Sequence, residues 1–212
     1  MCGRFELKTR FDELPKVLKQ DYPSGLRSKY EIQTLIKPQD PVLVIKNEGK
    51  IKTTFMSWGF ISPWAKDPFD KSLPRPFNAR SETVGEKNLF QGSWRNKRCL
   101  IPATGFFEKG FRIRKKNYAT FWLGGIWSRW TSRDGAELES CCILTTEPNE
   151  LIKPIHHRMP VVIPEGIEEP WTEIVKDNDE LEDLLPIMMG WSPEDWLIKE
   201  LNKSPTNQMS LF

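Results

Sequence analysis

Apolar and polar positions alternate through the middle of the chain and take up helical spacing toward both ends. Pro41-Val-Leu-Val-Ile-Lys and Ile51-Lys-Thr-Thr-Phe-Met-Ser-Trp are rich in β-branched and aromatic residues, and Asn47-Glu48-Gly49-Lys50 between them predicts a hairpin. Further strands are expected over 99–102, 105–108, 119–127, 140–146 and 159–163. Leu14, Val17 and Leu18 behind a Thr9 cap predict a helix from about Phe11, with Pro15 tolerated only near its first turn. Helices are also expected over 81–94, 167–176, 179–185 and 192–201, the last opening with Ser192 as cap, Pro193 and an acidic first turn. Strands in the middle with helices clustered late predict an α+β fold rather than alternating βαβ units.

Composition narrows the class. The 212 residues fit one domain with a core of its own. Thirty-one Lys and Arg against 29 Asp and Glu leave a net charge of +2, so an anionic partner has to be held by placed residues and not by bulk charge. The four cysteines, Cys2, Cys99, Cys141 and Cys142, lack zinc-ligand spacing, and no apolar signal segment or membrane-length run is present. A soluble cytoplasmic protein without metal or cofactor is the expectation. Nine Trp and twelve Phe serve first as core, with some left to offer flat faces to bases.

Four segments carry candidate chemistry. Cys2 stands directly behind Met1, and loss of the initiator would leave an amine and a thiol on one residue. With an α-amine pKa of about 7.7–8.0, the amine is partly neutral near pH 7 and can attack an aldehyde; the thiol can then close a five-membered thiazolidine. Taken by position alone, Cys2 reads as a chance residue. In Asn78-Ala-Arg-Ser-Glu-Thr83, Asn78 or Ser81 serves as a helix cap, or Asn78 orients a substrate while Arg80 holds a phosphate. Glu108 follows Phe106 and Phe107; pointing inward it is a general acid/base, pointing outward an ordinary solvated carboxylate. His156 and His157 are adjacent, which argues against a shared metal and leaves one of them for proton transfer or both as a surface pair.

Together, Met1-Cys-Gly-Arg4, Phe77-Asn-Ala-Arg-Ser-Glu-Thr83, Arg98-Cys-Leu-Ile-Pro-Ala-Thr-Gly-Phe-Phe-Glu108 and Ile155-His-His-Arg-Met-Pro160, with Trp58-Gly-Phe60 and Pro63-Trp64, resemble the SOS response-associated peptidase (SRAP) family. The resemblance runs from Cys2 to about Ile163. It implies a single β-rich domain with mixed or antiparallel barrel-like sheets and peripheral helices. It also implies a processed Cys2 that crosslinks to abasic sites in single-stranded DNA as a thiazolidine, with lyase activity through the same Schiff base. Carried over by motif, Asn78, Glu108 and His156 complete the catalytic set, Arg4, Arg80 and Arg158 contact phosphate or lesion, and Trp58, Trp64 and Thr145 line the DNA path. Tyr30-Glu-Ile-Gln-Thr34, Thr104 and Lys109 depart from the family pattern.

Two other functions compete: an N-terminal cysteine peptidase, and a non-catalytic single-stranded nucleic-acid-binding module. The tail over 203–212 ends in Gln208-Met-Ser-Leu-Phe212, similar to the peptide that docks on bacterial sliding clamps through Gln208, Leu211 and Phe212. The alternative is that Leu211 and Phe212 pack on their own domain. A nucleoid-associated monomer is expected.

Overall fold

The computed structural model describes residues 2–20, 22, 24–175, 181, 183–188 and 191–201. In chain order its strands are β1 (Phe5–Leu7), β2 (Gln33–Ile36), β3 (Pro41–Asn47), β4 (Ile51–Trp58), β5 (Asn78–Arg80), β6 (Arg98–Ala103) and β7 (Gly105–Glu108). There follow β8 (Phe111–Lys115), β9 (Phe121–Thr131), β10 (Glu137–Thr146), β11 (Met159–Pro160), β12 (Val162–Ile163) and β13 (Trp196–Glu200). Strands β10, β4, β3, β6 and β9 pair in that order, and β9 pairs back to β10, so the five close into a barrel. The β10–β4 pairing is parallel and the others in the ring are antiparallel. A second sheet runs β13-β8-β7-β1-β2.

The expected hairpin forms, with Pro41 opposite Ser57, Asn47 opposite Ile51, and Gly49 in the left-handed region at φ 81°. Barrel closure depends on Gly125, which pairs with Cys99 on one side and Ile143 on the other. A Cβ there would lie 2.8 Å from the Cys142 carbonyl oxygen and 3.1 Å from Cys99 Sγ. Val42, Val44, Leu100, Ile101, Leu123, Ile126, Ile143 and Leu144 are buried on these strands. Phe5, Leu7 and Phe106 of the second sheet are buried in the same core.

The helices are shorter than the spacing predicts. Leu14 is extended ahead of Pro15, as a residue before proline prefers, so a 3-10 turn at Phe11–Glu13 precedes a one-turn α1 (Lys16–Gln20). Residues 81–90 form turns, tied to β10 by Ser81 N–H donating to the Thr145 carbonyl, and only α2 (Gln91–Asn96) is helical. The third predicted helix shrinks to α3 (Glu168–Thr172), ended by an extended Glu173. Of the predicted 179–185 helix, positions 179, 180 and 182 lie outside the described residues; α4 (Leu185–Met188) begins at its last position. The 192–201 expectation is half right: Ser192 caps a single 3-10 turn, Pro193–Asp195, but Trp196–Glu200 is strand β13, paired along β8. Trp196 is buried against Phe121, ring centroids 4.7 Å apart, which favours a strand edge over a helix face.

Candidate active site

Cys2 lies just before β1, at the seam between the barrel and the second sheet. Strand β1 pairs antiparallel with β7, Phe5 opposite Phe106 and Glu6 opposite Gly105, and Phe107 N–H donates to the Arg4 carbonyl at 2.9 Å. Continuing that register sets Glu108 opposite Gly3, beside Cys2. From the barrel side comes β5, parallel to β10 with Asn78 opposite Ile143. Asn78 Nδ2 donates to the Cys2 carbonyl at 3.0 Å. Its Oδ1 is buried and accepts no hydrogen bond among the described residues, an acceptor in reach of Cys2.

His156 enters from the loop between β10 and β11. Its Nδ1 lies 3.0 Å from the Arg158 N–H nitrogen and 3.2 Å from the Arg158 carbonyl oxygen, and Nε2 faces Glu108 Oε1 at 3.9 Å. His157 is exposed and stacks on His156 with centroids 4.2 Å apart. Burial lowers the His156 pKa; Glu108 opposes this without reversing it, and His157 adds to it. Burial and then the Glu108 charge push the Cys2 thiol up to about 12, against the charge of the chain's N-terminal amine and then the Arg4 carbonyl contact. Cys2 is 1% exposed. Burial thus favours the uncharged forms of both groups, the Cys2 thiol and the neutral His156 imidazole.

Among the other predicted site residues, Arg4 and Arg80 are exposed, and Arg80 shares a strand face with Asn78. Arg158 is 8% exposed, and both its Nη atoms reach the Glu82 carboxylate at 2.7 Å. Burial raises the Glu82 pKa, but the Arg158 hydrogen bonds outweigh it and hold the carboxyl below its usual range. Two residues expected to line a DNA path are instead buried. Trp58 and Thr145 have no exposed surface. Trp58 Nε1 donates to the Phe77 carbonyl at 2.8 Å and its ring meets Phe5 edge-on at 5.0 Å, bracing both β1 and the entry to β5. Thr145 Oγ1 donates to the Ala79 carbonyl at 3.3 Å, opposite Arg80 on β10. Trp64 is 71% exposed. Glu82 was given no role by sequence reasoning, although it belongs to the same short motif as Asn78 and Arg80. A groove of about 900 Å³, lined by residues including Thr9, Arg112, Tyr118 and Trp122, contains none of the converging side chains.

The arrangement can orient an amine at Asn78, move protons through Glu108 and His156, and enclose a thiol. Comparison with known proteins gives it a family. The profile of the "SOS response associated peptidase (SRAP)" family matches residues 1–200. Abasic site processing protein YoaM of Bacillus subtilis is 35% identical over 220 residues, covering 98% of this chain and 95% of that one. Abasic site processing protein YedK of Escherichia coli is 28% identical over 184 residues, covering 80% and 78%. A crystal structure of a protein from Bacteroides thetaiotaomicron superposes with a TM-score of 0.80 at 24% identity, covering 98% and 97%, and shares the fold. On the family match and the 35% identity to YoaM, the chain belongs to the SRAP family.

Proposed function

We propose that this protein processes abasic sites in single-stranded DNA by covalent capture through Cys2 once Met1 is removed. The observation that carries the reading is Asn78, which holds the Cys2 carbonyl with one end and presents an unpartnered buried oxygen with the other. The names of YoaM and YedK supply the substrate class. In the ring-opened abasic sugar, C1′ is an aldehyde. The α-amine, oriented by Asn78 Oδ1, adds to it; Glu108 and His156 take the amine proton and deliver one to the leaving hydroxyl, and water departs. The Cys2 sulfur then adds to the imine carbon and its proton passes to the nitrogen. One aldehyde and one aminothiol become one thiazolidine and one water. A free α-amine with a pKa of about 7.7–8.0 is more available near pH 7 than the thiolate of a thiol near 8.5, so the amine attacks first. Strand cleavage from the same Schiff base competes with ring closure, and His156 assists sugar opening and reversal.

The decisive experiment incubates Met-processed protein with single-stranded DNA carrying one abasic site. A heat-stable shifted band is expected with wild type and none with Cys2→Ala or intact DNA; no band with wild type defeats the reading. A chain mass that retains Met1 defeats it as well. We place the protein in the cytoplasm, acting as a single-domain monomer on nucleoid DNA. Its tail, outside the described residues, docks on the sliding clamp through Gln208, Leu211 and Phe212. Equal clamp recovery with and without the last five residues refutes the docking.

A further inference from the structure

Two segments that carry side chains of the site meet at one carbonyl. Strand β5 runs parallel to β10 with Asn78 opposite Ile143 and Arg80 opposite Thr145, and the chain then turns through Ser81 and Glu82. The loop between β10 and β11 carries His156 and returns to the barrel where Met159 and Pro160 pair with Thr146 and Thr145. The Thr145 carbonyl accepts from Ser81 N–H at 2.9 Å and from Arg158 Nη2, so both segments share it. Arg158 also reaches across the joint: Nη1 donates to Glu82 Oε1 and Nη2 to Glu82 Oε2, each at 2.7 Å. Two parallel bonds to one carboxylate fix the direction of the guanidinium as well as its distance. The Arg158 side chain is 9% exposed and that of Glu82 42%, so the carboxylate reaches a buried guanidinium from the surface.

We propose that Glu82 is a positioning residue for covalent capture, holding His156 in place relative to Asn78 through Arg158. The proposal rests on the Cys2 reading and adds a residue to which that reading gives no role. Three links carry it. Glu82 stands four residues after Asn78 on one continuous segment, and Asn78 holds the Cys2 carbonyl. Arg158 joins that segment to the His156 loop by its paired bonds to Glu82. His156 Nδ1 lies 3.0 Å from the Arg158 backbone nitrogen and 3.2 Å from its carbonyl oxygen, so the imidazole takes its orientation from the Arg158 backbone. Its other nitrogen, Nε2, is 3.9 Å from Glu108 Oε1. Without the ion pair the loop keeps its anchors at β11 and at the Ile152 carbonyl, which accepts from His156 N–H at 2.9 Å. It loses the contact that fixes the guanidinium across to 78–82. A misplacement of about 1 Å at a proton-transferring group can cost on the order of 10²-fold in rate.

Glu82→Gln removes the charge at nearly constant shape. In single-turnover assays on single-stranded DNA carrying one abasic site, its capture rate at saturation is expected to fall about ten-fold, with the half-saturating concentration unchanged. Glu82→Asp keeps the carboxylate and is expected to recover part of the loss. In a His156→Gln background, Glu82→Gln is expected to cost nothing further, because both changes act through the same ring. The second readout needs no chemistry on DNA. The chain has two histidines, so their imidazole proton signals are followed by NMR through a pH titration. Burial is the largest influence on His156 and lowers its pKa, while Glu108, the N-terminal amine and His157 also act on it. A loosened ring gains water, so the His156 midpoint is expected to rise in Glu82→Gln and likewise in Arg158→Lys. A Glu82→Gln protein that unfolds more easily yet keeps the wild-type rate and midpoint overturns the proposal, since the pair then only stabilises. A higher half-saturating concentration at unchanged rate also overturns it, assigning Glu82 to DNA binding, as does a full further loss in the His156→Gln background. If wild type forms no crosslink, the Cys2 reading fails by itself, and the His156 titration still decides whether Glu82 holds the ring.

Discussion

At the scale of single residues the site depends on which atoms lack partners and which groups lack charge. Asn78→Ala removes one hydrogen bond to Cys2 and the acceptor for its amine. A loss of about ten-fold or more in capture rate is expected, since ~1.5 kcal/mol is about a factor of ten. Single-turnover gels measure it, and unchanged rates would remove Asn78 from the chemistry. His156 supplies a pH signature. Its folded pKa is below its unfolded value, so the folded state resists protonation. The stability it contributes is complete above the unfolded pKa of about 6.5 and is lost as pH falls toward the folded value. Urea unfolding at pH 7.5, 6 and 5 is expected to show a steeper acid loss for wild type than for His156→Gln. Equal slopes would mean that the ring titrates as in the unfolded chain.

At the scale of elements, the short strands β1 and β5 bring residues distant in sequence together, and Trp58 is the brace between them. Trp58→Phe keeps an aromatic ring, though a smaller one, and removes the donor to Phe77, whose carbonyl still accepts from Ile143 N–H. About 1 kcal/mol of stability is expected to go, with a slower capture step and unchanged affinity for intact single-stranded DNA. Trp64→Ala is expected to do the reverse, lowering affinity while sparing the rate at saturation. If both variants lose affinity alone, Trp58 does not position β5. The same elements show what the sequence made legible. Strong alternation over 41–58 identifies the hairpin, and the short motifs identify Cys2, Asn78, Glu108 and His156, which the fold brings together. Alternation does not say which residues of a motif face inward, so Trp58 and Thr145 read as surface groups although they are buried. Ser192-Pro-Glu-Asp195 is a true cap, but the next five residues find a partner strand in β8, and tertiary pairing overrides the local signal. Strands of three residues such as β1 are too short for any periodicity to show.

At the scale of the whole molecule, electrostatics separates exposed cations from those locked into the frame. Arg4 and Arg80 are exposed, whereas both Nη atoms of Arg158 are bound by Glu82 and Nη2 also donates to the Thr145 carbonyl. Each exposed cation that meets a phosphate contributes about 0.7 to the salt slope of single-strand binding. Arg80→Gln is thus expected to flatten the dependence of log Kd on log salt by about that amount. Arg158→Gln instead leaves Glu82 without its ion pair and costs stability; a changed slope with unchanged stability would free Arg158 for DNA.

Away from the site, the barrel's own charges are locked to each other. Lys46 on β3 and Arg129 on β9 bind Glu139 on β10, and both also bind Glu48 in the β3–β4 turn. Lys46 lies over the Trp127 ring, 4.3 Å from its centroid. Burial raises the Glu48 pKa, but Lys46, then Arg129 and Lys52, outweigh it and hold the carboxyl down at about 2. A depressed carboxylate contributes stability that is complete above its unfolded pKa, near 4.3–4.5, and fades as pH falls toward 2. Because the network joins the hairpin turn to the β9–β10 pair, its loss loosens the ring itself. Urea titrations at pH 7, 4 and 3 are expected to show wild type losing stability across that window and Glu48→Gln losing less, from a lower starting point. Parallel curves for the two proteins would place the acid sensitivity elsewhere. The Glu82–Arg158 pair is then the next group to examine, through Glu82→Gln, with covalent capture followed on the same samples.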